Sequence, residues 1–444
     1  MISEKNLEVF GYECISAYSN KITDFGAFSQ TNMITFKDKG VLFLRNQDIR
    51  EGYIDENNSV FIDESIYNKL TLHLEEGDIL IPRVGTLGNA ALIKKNMLPC
   101  TSNQNLAIIR LKNEINKYAI IAILVSKIGN YQINRLSTGN VQQWLNLETI
   151  GNIKIPCLAN DFMDKVGNLM EMSNISIIKS NEKYYEAENL LLSELGLENF
   201  NPSNEKISIK TLKESFLKTG RLDSEYYQPK YDEYLQKIKL NKHTTISNEF
   251  GLIKEKMKNG LGSYNYVEIG DVNVSDGKIS PKLIDEKDLP ANAKILPQKG
   301  DLLVSKVRPN RGAISIIEED YSNLVVSGAF TVLREKKESD YRVETLKTLL
   351  RTPIYSDWLL KFNVGTSYPV ITDEDILSLP IPIIKSNVQD EIAIYIKQSM
   401  EYSKKAKELL EISTKSVEIA IDKDEETAYN FLDRQTDRQT DRQT

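Results

Sequence analysis

Two long stretches of this chain carry the same order of apolar and polar positions and can be laid over one another at an offset of about 223 to 226 residues. In the first copy, Glu76-Gly77-Asp78-Ile79-Leu80-Ile81-Pro82-Arg83-Val84 sets a Gly-Asp turn before a β-branched, apolar run that ends on a cation. The second copy reads Lys299-Gly300-Asp301-Leu302-Leu303-Val304-Ser305-Lys306-Val307. Such a run, bounded by turn residues, predicts a strand. Leu106-Ala107-Ile108-Ile109-Arg110 and Phe330-Thr331-Val332-Leu333-Arg334 predict a second strand in each copy. Helical periodicity follows over Tyr118 to Leu136 and Glu344 to Phe362, fitting one helix or a short pair per copy. Each copy then has a glycine turn, Ser137 to Gln142 and Asn363 to Tyr368. A strand closes each repeat, Ile153-Lys154-Ile155-Pro156 and Leu379-Pro380-Ile381-Pro382.

Beyond each copy lies a long polar and apolar stretch without internal proline, Asp161 to Leu197 and Val388 to about Leu432. In the second, Ile392, Ile396, Met400, Ala406, Leu410, Ser413, Val417 and Ile421 recur at three-to-four spacing, as a helix-helix seam requires. At 1.5 Å per residue, each helix would span roughly 50 to 65 Å, a length that favours a spacer over the alternative of a helix packed on its own domain. Gly196 is placed to cap the first helix, and Asn201-Pro202-Ser203 breaks the chain after it. The expected class is therefore α+β, with two β-rich domains in tandem, separated and followed by long α-helices. The expected boundaries are 1–160, 161–200, 201–386 and 387–432, with a repetitive tail over 433–444.

A length of 444 residues accommodates two or three domains. The longest apolar stretch, Tyr118 to Val125, is far shorter than the ~20 residues needed to span a bilayer, so a soluble protein without a membrane partner is expected. The segment Met1-Ile-Ser-Glu-Lys-Asn lacks a basic and then apolar leader, which makes the cytoplasm the expected compartment. Cys14, Cys100 and Cys157 stand far apart, and His73 and His243 have no partner at ligand spacing. No disulfide framework, zinc ribbon or Ser-His-Asp triad follows from them.

The net charge of −7 argues at first against a nucleic-acid partner. Its distribution changes that picture. Residues 161–200 hold 8 acids against 3 lysines, and residues 387–432 hold 10 acids against 6 lysines, which leaves the rest of the chain slightly basic. Three cations with an Asn and a Gly share one turn in Lys306-Val307-Arg308-Pro309-Asn310-Arg311-Gly312. Arginine forks to guanine and asparagine to adenine, so Lys306, Arg308, Asn310 and Arg311 are candidate DNA contacts; a solvated turn is the alternative. The matching turn begins at Arg83, a further candidate DNA contact, and lacks the Gly-Lys-Ser/Thr of a nucleotide-binding loop. Gln142, Gln143, Ser367 and Tyr368 sit in the glycine turns, and Arg45, Asn46 and Gln47 follow another apolar run that resembles Tyr266 to Val272. These are the remaining candidates, each of which could equally satisfy its own loop.

Catalytic chemistry is expected to be absent. Adenine methylation would need an Asp/Asn-Pro-Pro-aromatic loop, and the nearest stretch, Asn201-Pro202-Ser203-Asn204, lacks the second proline and the aromatic residue. Acidic groupings such as Glu318-Glu319-Asp320 and Asp285-Glu286-Lys287-Asp288 read as solvated turns rather than a nuclease metal site.

The ordered duplicate of Gly-Asp-(Ile/Leu)-Leu strands, glycine turns, Ile-x-Ile-Pro-like segments and following helices resembles the DNA-specificity subunit of type I restriction-modification systems. Arg221-Leu222-Asp223-Ser224-Glu225-Tyr226-Tyr227-Gln228-Pro229 is similar to the segment that opens a recognition domain in that family. The resemblance covers nearly the whole chain. It implies two target-recognition domains that read the halves of a split site in double-stranded DNA, held apart by long helices paired as an antiparallel spacer. It also implies that the helices dock two methyltransferase subunits, and that motor-nuclease restriction subunits join them. S-adenosylmethionine, ATP and magnesium would then belong to those partners, with no cofactor in this chain. Recognition loops vary between members, so no contact residue is carried over. The alternatives are a protein-protein scaffold without DNA binding, or a standalone methyltransferase or nuclease.

The tail repeats Asp433-Arg434-Gln435-Thr436 twice more to Thr444. The codons GAC, AGA, CAG and ACA would join into a tetranucleotide tract able to slip in replication, switching the subunit's length or expression. The tract has no stop in any frame, so the chain would also be compatible with a truncated reading of a longer one. Mixed codons, or an invariant repeat number across colonies, would rule slippage out.

Overall fold

The computed structural model describes the chain except residues 1–6, 8, 9, 27–29, 31, 57, 58, 140, 141, 206, 258, 259, 275, 276, 365–367 and 442–444, and except the side chains of 436–441. It divides into two units, Met1–Lys179 with Tyr402–Thr444, and Ser180–Glu401.

In the first unit the strands are β1 (Tyr12–Cys14), β2 (Ser19–Thr23), β3 (Val41–Leu44), β4 (Val60–Ile62), β5 (Ile79–Pro82), β6 (Ala91–Leu92), β7 (Cys100–Ser102), β8 (Leu106–Leu111) and β9 (Lys154–Pro156). They form a sheet β2-β8-β5-β6, a sheet β4-β3-β7 and the antiparallel pair β1-β9. The second unit has β10 (His243–Thr245), β11 (Phe250–Leu252), β12 (Ser263–Val267), β13 (Lys282–Asp285), β14 (Ala293–Ile295), β15 (Leu302–Ser305), β16 (Ile314–Ile316), β17 (Leu324–Ser327), β18 (Phe330–Glu335) and β19 (Pro380–Pro382). Their orders, β11-β18-β15-β16, β13-β12-β17-β14 and β10-β19, repeat the first unit with one added strand, β14. In both units the second sheet holds one parallel pair, β3 with β7 and β12 with β17.

The Gly-Asp strands are apolar throughout because both faces are covered. Ile79 and Ile81 of β5 join the core beneath the helices, whereas Leu80, between them, enters the core shared with the second sheet. Leu302 and Val304 divide from Leu303 in the same way. This is the two-residue alternation of a strand with a core on each side.

Each predicted helical stretch is a pair: α1 (Lys117–Val125) with α2 (Lys127–Leu136) in the first unit, and a matching pair in the second. Ser126 ends α1 and caps α2 through Oγ, which accepts from Gly129 N–H at 3.3 Å. α1 is apolar on all sides, and seven of its residues are buried. The first long helix, α3, spans Asn160–Glu194. Gly196 follows it with a φ of 60°, and Leu197 N–H reaches back to Leu192 O at 2.8 Å, the capping pattern anticipated from sequence. The second unit adds α4 (Pro229–Lys239) and the pair α5 (Val343–Arg351) and α6 (Pro353–Leu360), then α7 (Ser386–Asp422).

The second long helix is shorter than its sequence suggests. It stops at Asp422, and a separate helix, α8 (Glu425–Asp441), begins where Asp424 Oδ1 accepts Thr427 N–H at 2.6 Å. α3 and α7 each run from one unit into the other. Within the first unit Ser173 Oγ donates to Ala406 O at 2.7 Å and Ser413 Oγ to Val166 O at 3.1 Å. Within the second, Ser180 Oγ donates to Ser399 O at 2.8 Å, and Lys385 pairs with Glu194 at 3.0 Å. As one partner's number rises the other's falls by equal steps, so the two helices run antiparallel in both units. Among the described residues, no helix is long and apolar enough to cross a membrane.

Candidate nucleic-acid interface

In each unit, loops distant in sequence converge on the end of the Gly-Asp strand. The turn itself is fixed by charge. Asp78 is fully buried, accepts Glu75 N–H at 2.9 Å, and takes two hydrogen bonds from Arg110 on β8, at 2.8 and 2.9 Å. Asp301 does the same, with Gln298 N–H at 2.7 Å and Arg334 on β18 at 2.7 and 2.8 Å. Each carboxylate holds its arginine's pKa above the ordinary value. Gly77 and Gly300, with φ of 86° and 90°, make the left-handed step that turns the chain into the strand.

In the first unit, Asn46 Nδ2 donates to Val84 O at 3.1 Å and Thr86 Oγ1 donates to Asn46 O at 3.3 Å, joining the turn after β3 to the turn after β5. Val84 also bridges Trp144, whose N–H and carbonyl pair with those of Thr138. The hairpin carrying Gln142 and Gln143 is thereby fastened to the same place. In the second unit Val307 bridges Val370, and Arg308 N–H donates to Pro369 O at 2.7 Å. Arg351 completes that cluster. Its Nη1 donates to Gly312 O at 2.7 Å, its Nη2 to Val274 O at 2.8 Å, and its Nε to the Tyr184 hydroxyl on α3 at 2.8 Å.

The candidate residues divide into those that hold the loops and those that face outward. Arg45 is bound to Asp48 by Nε at 3.1 Å and Nη2 at 3.0 Å, and Gln47 Oε1 faces the same guanidinium in the amide orientation that satisfies both. Arg83, a candidate DNA contact by sequence, is instead only 8% exposed. It donates to Leu145 O at 2.9 Å, pairs with Asp24 and lies against the Trp144 ring, because the returning hairpin places carbonyls over the strand end. Lys306 is likewise engaged, by Asp373 at 3.0 Å. Gln47, Gln142, Gln143, Asn310 and Arg311 are exposed. Tyr368 is 63% exposed and carries the Arg308 guanidinium 4.3 Å from its ring centre. Ser367 lies outside the described residues.

Sequence reasoning missed the Asp78–Arg110 and Asp301–Arg334 pairs and the Arg351 clamp. The first was signalled, since both residues recur at matching places in the two copies; Arg351 has no such signal, because its counterpart is Val125. Among the described residues, no group of three or more His, Cys, Asp or Glu is placed to hold a metal ion.

Residues 235–414 match the family described as "Type I restriction modification DNA specificity domain". A stretch of 130 residues is 32% identical to the type I restriction enzyme HindI specificity subunit of Haemophilus influenzae; it spans 29% of this chain and 28% of that protein's length. Two solved structures are also similar to this chain. The type I restriction-modification S subunit from M. genitalium aligns over 95% of each chain at 13% identity and a TM-score of 0.43. The HsdS subunit from Thermoanaerobacter tengcongensis aligns over 93% of this chain and 97% of its own, at 14% identity and 0.31.

Proposed function

We propose that this chain, which carries a type I restriction-modification DNA specificity domain over residues 235–414, is a DNA-reading specificity subunit with one reader in each unit. The observation that carries the reading is the duplicated loop cluster. The frame is the same in both units, an Asp–Arg pair at the turn and a bridge from Val84 to Trp144 or Val307 to Val370, while the outward residues differ. Gln142 and Gln143 stand out from one, and Asn310, Arg311 and Tyr368 from the other, with the half-buried Arg308 beside them. A constant frame with unlike tips suits two readers of two unlike half-sites. Exposed cations would contact phosphates and set register, and amide and guanidinium groups would read base edges.

In this reading the chain is non-catalytic. The absence of an Asp/Asn-Pro-Pro-aromatic loop from the sequence supports that assignment. Methyltransferase subunits would dock on α3 and α7, which serve both units and set the half-site spacing. They would bring S-adenosylmethionine, and restriction subunits would bring ATP and magnesium chemistry, all in the cytoplasm.

The test is selection of random duplexes by the purified chain together with its methyltransferase partner. The expected result is a split consensus, bound with an affinity that falls on the order of 10³-fold between 50 and 200 mM salt. Salt-insensitive partner binding without DNA binding would move the assignment to a scaffold. Methyl transfer by the chain alone would overturn the non-catalytic reading.

A further inference from the structure

Arg308 occupies a backbone conformation that arginine disfavours. Its φ of 49° and ψ of 53° lie in the left-handed region, where the Cβ of an L-residue crowds the backbone, and Pro309 after it favours extended geometry at this position. The first unit makes the same left-handed step 223 positions earlier, counted from the matching Asp78 and Asp301, and there the residue is Gly85, with a φ of 84°. Glycine makes that step without strain. The backbone step is therefore common to both units, and the second carries a long cationic side chain on it at an energetic cost. Nothing in the loop's own hydrogen bonding requires that side chain: Arg308 holds the loop through its backbone, donating to Pro369 O at 2.7 Å and accepting from Arg311 N–H at 3.0 Å.

The side chain is held in place all the same. Its guanidinium lies 4.3 Å from the centre of the Tyr368 ring. Stacking of this kind covers one face and leaves the in-plane N–H groups directed outward. Among the described residues, the Arg308 side chain makes no hydrogen bond or ion pair, whereas Lys306 in the same loop is held by Asp373 and Arg351 by two carbonyls and a hydroxyl. A planar fork on a half-buried side chain, steadied at one face, matches the paired O6 and N7 acceptors of guanine in the major groove.

We propose that Arg308, stacked on Tyr368, is the residue with which the second unit selects a guanine in its half-site. The proposal rests on the specificity-subunit reading given above. Locally strained backbone retained beneath a functional side chain is the form that such a site takes.

The test is the adenine methylome of cells expressing the parent chain, Arg308→Gly or Tyr368→Ala together with the methyltransferase partner, and melting temperatures of the purified proteins. The parent gives a split motif. Arg308→Gly restores the first unit's residue, keeps its melting temperature at or above the parent's, and leaves the first half-site intact. One G·C position in the second half becomes degenerate, with discrimination there reduced on the order of 10- to 100-fold. Tyr368→Ala removes the ring beneath the guanidinium and relaxes the same G·C position. A parent motif left unchanged by Arg308→Gly would overturn the Arg308 assignment and leave the specificity reading standing. So would loss of all methylation with a lowered melting temperature, since the arginine would then be structural. Absence of any motif with the parent would remove both.

Discussion

Asp301 illustrates how much of this fold hangs on single buried carboxylates. It closes its turn, and its two oxygens receive the Arg334 fork. Asp301→Ala leaves that guanidinium unpaired, but its side chain is 35% exposed and can reach water, so the loss falls below that of a fully buried pair. We expect about 2–3 kcal/mol in urea unfolding of the variant. Glu188 gives a pH test. Burial raises its carboxyl above the ordinary carboxylate pKa, against the opposing pull of Arg351. The native state therefore binds the extra proton, and stability falls as pH rises from the ordinary pKa through the raised one. Glu188→Gln removes that penalty. Its urea midpoint should equal the parent's at a pH below both values and exceed it at neutral pH; a gain that grows on acidification would contradict the assignment. At this scale the sequence was legible for the Gly-Asp turns and not for their arginine partners. A motif gives spacing along one strand, whereas the Asp–Arg pair depends on which strand lies beside it. Arg83 misled for the same reason, since its carbonyl partner arrives from a hairpin some sixty residues on.

The long helices were legible in outline because apolar positions repeat at helical spacing, while their antiparallel pairing was implied only by the family resemblance. Their packing was only partly legible. Ser173, Ser180 and Ser399 are buried at the seam, although serine ordinarily reads as surface; each small side chain lets the opposite backbone approach to hydrogen-bonding distance. Ser180→Ala should cost less than about 1 kcal/mol, since it removes one hydrogen bond and no packing volume. Ser180→Leu forces a larger side chain against the Ser399 backbone and should cost about 1–3 kcal/mol. Thermal melts of the two variants check the order; equal losses would mean that the helices are not tightly apposed there. The break before α8 went unseen because Asp424 sits among acidic neighbours that do not distinguish a helix cap from a solvated face.

For the whole molecule, the repeat was the most legible feature, and it organised the rest. Strands, helix pairs and loop clusters recur in order in both units, with β14 as an addition. What the sequence could not supply was the division of labour inside the clusters, because frame and tip residues are drawn from the same polar types and separate only when the loops meet. The central claim is that each unit reads one half of a split DNA site. The most direct measurement is methylome sequencing of cells with and without this gene, and with residues 1–160 exchanged for those of a relative. The account predicts one split motif whose adenine methylation depends on the gene, with only one half altered by the exchange. It would be contradicted by the absence of such a motif while the methyltransferase partner is expressed, or by an exchange that alters both halves.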